Sequence, residues 1–85
     1  MITYDLSARG RTSLYAFLYE RIRDDIIAGT LAAGEKLPSK RALAQNLGVG
    51  VNTIALAYGQ LVAEGFVQAQ EKRGYFVADV RDIAP

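Results

Sequence analysis

Ser39-Lys40-Arg41-Ala42-Leu43-Ala44-Gln45-Asn46-Leu47-Gly48-Val49-Gly50-Val51-Asn52-Thr53-Ile54-Ala55-Leu56-Ala57-Tyr58 is the stretch whose reading decides the fold. Leu43, Ala44 and Leu47 give one apolar face to a short helix over about Lys40 to Leu47. Ser39 precedes it, where a hydroxyl can accept from a free backbone N–H, and Gly48 suits the left-handed residue that closes a helix. Ile54, Ala57, Tyr58 and Leu61 recur at i, i+3, i+4 and i+7, the core stripe of a longer helix from near Val51 to about Glu64. Gly50 stands at its N-cap, a position glycine tolerates. Only Gly48-Val49-Gly50 separate the two helices, so the chain must turn tightly, with Val49 buried in the turn and small Ala44 letting the helices approach. Two helices joined in this way meet the geometric requirement of a helix-turn-helix.

Upstream, Leu14, Leu18, Ile22 and Ile26 fall four apart with Phe17 on the same side, which predicts a helix over Ser13 to Ala28. Thr12 or Ser13 can cap its start, and Gly29 fits just past its end. Asp24 and Asp25 oppose the helix dipole, which predicts a frayed last turn. In Gly34-Glu35-Lys36-Leu37-Pro38, Leu37 suits a brief edge strand that Pro38 then interrupts. Met1 to Thr12 has no sustained period and reads as an extended arm with Arg9 and Arg11 exposed. Downstream, Gly65 closes the long helix. Phe66 to Gln70 and Tyr75 to Ala78 read as strands joined by the turn Glu71-Lys72-Arg73-Gly74. The expected fold is α+β, a winged helix-turn-helix of three helices followed by a two-stranded hairpin wing. It occupies residues 13–78, with an arm at 1–12 and, at 79–85, a tail or the start of a linker.

Composition narrows the function. Eighty-five residues, 51% hydrophobic, suit one small domain with one core and little room for a deep catalytic pocket. There is no cysteine and no histidine, so thiolate metal sites, disulfides and the commonest general base are absent. No carboxylate pair has a recognisable catalytic spacing, and the chain is read as no enzyme. The apolar runs fall far short of the roughly 20 residues of a membrane span. The first residues also lack a signal peptide's pattern. A cytoplasmic protein without membrane contact is expected. The net charge of +1 says nothing about nucleic acid, but its distribution does. No acid lies between Lys36 and Ala63, whereas Lys36, Lys40 and Arg41 do. A polyanion would prefer that side; an ordinary solvated surface is the competing reading. In a helix-turn-helix the second helix projects its first residues into a major groove of duplex DNA, and a hairpin directly after it reaches the neighbouring phosphates.

Ile27-Ala28-Gly29-Thr30-Leu31, Gly34-Glu35-Lys36-Leu37-Pro38-Ser39, Arg41-Ala42-Leu43-Ala44, Leu47-Gly48-Val49, Asn52-Thr53-Ile54, Ala57-Tyr58, Leu61, Ala63-Glu64-Gly65-Phe66 and Gly74-Tyr75-Phe76-Val77 follow in order. This pattern, spanning Ile22 to Val77, resembles the GntR family of bacterial repressors and activators. Thr3-Tyr4-Asp5-Leu6-Ser7 and Leu14-Tyr15, with Ala57-Tyr58 and Leu61, look most like its MocR-type branch. There the DNA-binding domain precedes a large domain resembling a pyridoxal-phosphate aminotransferase. The resemblance implies a homodimer on a two-fold operator of double-stranded DNA. It implies no cofactor in this chain, with pyridoxal phosphate in a C-terminal domain beyond it.

The resemblance also assigns roles. Arg41 corresponds to the family's DNA-contacting arginine, Ser39 opens that helix beside a phosphate, Asn52 and Thr53 match the polar pair beginning the recognition helix, and Gly74 matches the wing glycine. Many members carry Ser-Arg where this chain has Gly50-Val51. Ala55 offers no polar group, and Lys72-Arg73 replaces a wing glycine. Base reading here therefore relies on fewer charge-assisted bonds. Val51 is placed to meet a thymine methyl and Asn52 to pair with adenine. Lys40, Arg41, Lys72 and Arg73, with backbone amides, are placed to grip phosphates, and the last two could also enter the minor groove. The expected site is Ser39, Lys40, Arg41, Gly50, Val51, Asn52, Thr53, Lys72, Arg73 and Gly74.

Plainer readings compete. Arg41 could form a surface salt bridge, Lys40 is an ordinary lysine at a helix start, Asn52 and Thr53 could cap their own helix, and Lys72-Arg73 could be a plain charged turn. Tyr58 suits the core, with its hydroxyl at the rim, and Tyr15 and Tyr19 suit packing or an interface. Leu56 falls on the exposed face as incidental exposure, a methyl reader or a partner contact. For the whole chain, the rival is a winged-helix module that binds protein.

Overall fold

Around a 3-10 helix (Leu6–Arg9), the helices α1 (Leu14–Ala28), α2 (Lys40–Leu47) and α3 (Val51–Ala63) and the strands β1 (Val67–Gln70) and β2 (Gly74–Val77) follow in that order. They are seen in a computed structural model, which describes residues 3–79 and residue 81. This is the expected three-helix winged fold with a two-stranded antiparallel sheet. Of the proposed tail, residues 80 and 82–85 lie outside the described residues.

The stripe of α1 buries Phe17, Leu18, Tyr19, Ile22 and Ile26, with Leu14 half-buried at its edge. Ser13 holds the N-cap position, yet its side chain forms no capping bond; its carbonyl accepts from the Phe17 amide at 2.9 Å. The expected fraying does not occur, and α1 runs to Ala28, where Gly29 turns away at φ 83°. The two acids that oppose its dipole are each engaged. Asp24 pairs with Arg21 at 3.0 Å and Arg23 at 3.1 Å. Asp25 accepts from the Tyr4 hydroxyl at 2.7 Å.

That last bond corrects the extended arm. Asp5 caps a 3-10 turn by accepting from the Ser7 amide at 3.1 Å, and Tyr4 and Leu6 pack against the core. A single turn is too short to leave a hydrophobic period. Its mark in sequence is the local Asp-x-Ser chemistry.

Leu43 and Ala44 of α2 meet Ile54, Ala57, Tyr58 and Leu61 of α3, and Leu31, Leu37, Val67 and Val77 complete the core. Val49 is half-buried against it. No charged side chain is buried among the described residues. The strands pair from Val67↔Val77 to Gln70↔Gly74. Phe66, expected in the first strand, instead donates its amide to the Leu61 carbonyl at 2.9 Å and finishes α3. The segment before α2 forms the expected edge. Gly34 donates to Val77 O at 2.8 Å, Val77 to Glu35 O at 2.9 Å and Leu37 to Tyr75 O at 2.8 Å. Pro38 then has no N–H to continue the ladder. The wing is thereby stitched to the chain entering α2 as well as to the chain leaving α3.

Candidate nucleic-acid interface

The turn between α2 and α3 is built on one carbonyl. Gly48, at φ 71°, and Val49 both donate to Ala44 O, which bends the chain within the three expected residues. Gly50 follows with φ −72° and ψ 148° and caps α3 without a side chain. The Thr53 amide donates to Gly50 O at 3.1 Å, while the Val51 and Asn52 amides before it meet no capping side chain and suit an external acceptor. Val51 and Asn52 are exposed and Thr53 is half-buried. Neither Asn52 nor Thr53 uses its side chain to cap the helix, and neither side chain has a hydrogen-bond partner among the described residues.

At the start of α2 the Ser39 hydroxyl accepts from the Ala42 amide at 3.1 Å. A hydroxyl that accepts keeps its proton for a second partner. Arg41 is exposed and has no salt bridge among the described residues. Lys40 is half-buried because its Nζ lies 5.8 Å from the centroid of the Tyr75 ring. Tyr75 packs edge-on to Tyr58 at 5.0 Å, and the Tyr58 hydroxyl donates to Pro38 O at 2.8 Å. Burial raises the Tyr58 hydroxyl well above the ordinary phenol range, so it remains a donor. Lys40, Tyr75, Tyr58 and Pro38 together fix the wing's second strand against the start of α2. No spacing in the sequence announces this contact, because Lys40 and Tyr75 meet only through the tertiary fold.

The wing turn is closed by the Arg73 amide donating to Gln70 O at 3.0 Å. Lys72 takes the positive φ of 63° where a glycine was missed in the sequence, and it is the one non-glycine to do so among the described residues. Gly74 is favoured by its backbone and lies against the end of a flexible lysine side chain. Its φ is 119°, and a Cβ there would stand 3.1 Å from Lys36 Cε. Lys36, absent from the expected site, therefore runs along the base of the wing. Lys72 and Arg73 are exposed, without salt bridges among the described residues. Ion pairs instead occupy α1 and the chain after β2, as Arg21 and Arg23 with Asp24 and Arg81 with Asp79. Tyr19 proves a packing residue. Its hydroxyl donates to Glu64 and ties α1 to the end of α3.

Residues 14–77 match the family of bacterial regulatory proteins called gntR. The chain belongs to the GntR family. As a GntR domain it is the winged helix-turn-helix, DNA-binding part of a transcriptional regulator, as the resemblance implied. The probable rhizopine catabolism regulatory protein MocR of Rhizobium meliloti is 43% identical over 61 residues, 72% of this chain and 12% of that protein. The likeness to the MocR-type branch holds. The chain thus spans a small part of the length of these regulators. Among solved structures, YtrA from Sulfolobus acidocaldarius, a GntR-family transcription factor, superposes with a TM-score of 0.80 at 40% identity. It covers 87% of this chain and 78% of YtrA. The DNA-binding domain of AraR in complex with operator ORX1 gives 0.75 at 32% identity, covering 92% of this chain and 93% of that one. No helix among the described residues is long and apolar enough to cross a membrane.

Proposed function

We propose that this GntR domain docks on operator duplex DNA with the start of α3 in a major groove, α2 against one backbone and the wing against the next. Val51, Asn52 and Thr53 face base edges. Ser39, Lys40 and Arg41, the amides after Gly50, and Lys72 and Arg73 beside Gly74 hold phosphates. The observation that carries this reading is the exposure of Arg41, Lys72 and Arg73 with no acidic partner among the described residues, together with an exposed start of α3 that has no capping side chain. The operator-bound AraR domain supports it by fold.

The chain's role is binding, without catalysis, in the cytoplasm. Dimerisation on a two-fold operator is assigned to the complete regulator. The same holds for pyridoxal phosphate, which needs a lysine for its Schiff base.

Fluorescence anisotropy against duplexes from a random pool tests the reading. Affinity should fall linearly on a log–log plot as salt rises, because each phosphate contact releases counterions. Binding that is indifferent to salt, or no binding to any duplex, would instead favour a protein-binding winged helix.

A further inference from the structure

α3 contains no charged residue from end to end, Val51–Ala63. Its buried side is Ile54, Ala57, Tyr58 and Leu61. At roughly 100° per residue, Asn52 and Leu56 project from the opposite side, one turn apart. Leu56 is 59% exposed, more than any other large hydrophobic residue of the described chain. One further position on this face, Gly59, has open space where a Cβ would stand. Leu56 thus adds nothing to the core, yet lies on the face that carries Asn52.

We propose that Leu56 is a specificity-determining residue that reads a thymine C5-methyl in the major groove. The proposal rests on the docking reading above and deepens it. Guanine presents two acceptors to the groove, cytosine a donor, adenine one of each, and thymine an acceptor beside a methyl group. Leucine has neither donor nor acceptor. Against three of these edges it would displace water without replacing the lost hydrogen bond. Only thymine offers an apolar partner. Four residues of helix advance about 6 Å, close to two steps of about 3.4 Å along a DNA strand. The thymine therefore lies within about two base pairs of the base facing Asn52.

The test is a methyl deletion on the DNA. Duplexes are selected from a random pool with the 85-residue chain. Each selected thymine is then replaced in turn by deoxyuridine, and affinity is measured for the unaltered chain and for Leu56→Ala. At one thymine per half-site, loss of the methyl should weaken the unaltered chain about three- to tenfold, the scale of one buried methyl or somewhat more. The same replacement should leave Leu56→Ala unaffected. Equal deoxyuridine penalties in both proteins, or none in the unaltered chain, overturn the role of Leu56 while salt-dependent, selective binding leaves the docking reading standing. Absence of duplex binding overturns both. A free chain that sediments as a dimer and becomes monomeric on Leu56→Ala would assign the face to a second copy and likewise overturn the proposal.

Discussion

Arg41 and Asn52 begin consecutive helices, and their substitutions should separate grip from reading. Arg41→Ala should weaken all duplexes by a similar factor and reduce the slope of log K against log salt by about 1. Asn52→Ala should cost about 1–3 kcal/mol at one base position and relax selectivity there. Affinities for a panel of single-base-pair operator variants at several salt concentrations check both; an unchanged preferred sequence with Asn52→Ala excludes direct reading by its amide. Lys72 couples stability to binding in a single residue. At φ 63° its side chain strains the backbone, so Lys72→Gly should raise the unfolding free energy by about 1 kcal/mol in urea titrations. The same change should lower duplex affinity by removing a wing cation.

At the scale of elements, α3 serves two surfaces at once. One side carries the core and the other faces outward uncharged, so the register of the helix sets both. Leu61 is fully buried in the core. Leu61→Ala should destabilise the fold by about 2–5 kcal/mol through the cavity it leaves, read from the shift in the urea midpoint at constant slope. A near-neutral result would contradict the register on which the groove-facing assignment of Asn52 and Leu56 depends. The wing is the complementary case. Its own strands are four residues each, and a lone hairpin is marginal in water. Its position is secured by the edge hydrogen bonds from Gly34, Glu35 and Leu37 and by the Tyr58–Tyr75–Lys40 contacts.

Across the whole molecule, α1 is held to the far end of α3 by a carboxylate. The Tyr19 hydroxyl first, and the Gln60 amide second, lower the Glu64 pKa below its usual 4.5. A carboxylate with a depressed folded pKa contributes stability above its unfolded value and loses it as pH falls through the folded one. Thermal melts from about pH 7 down to about pH 3 should therefore show the unaltered chain more stable than Glu64→Gln near neutrality. The difference should close below about pH 4.5. A constant difference across that range would mean Glu64 acts by shape alone. Asp79, drawn down to about 2 by Arg81, loses its stabilisation over an overlapping acid range, but equally in both proteins, so it cancels from the difference.

The order of elements, the three-residue turn and the core stripes were legible in the amino-acid sequence, because helix periodicity, glycine chemistry and capping are local properties of the chain. So were the acid-free middle and the candidate cations, since charge type is written in the residues themselves. Other features came only with tertiary structure. The stacking of Lys40 on Tyr75, the run of Lys36 over Gly74, the docking of Tyr4 on Asp25 and the bond from Tyr19 to Glu64 join residues from 21 to 45 positions apart or span separate elements. No local pattern encodes such partners. They are selected when the hydrophobic core brings distant segments to one place, and that same event decides which face of α3 is left outside.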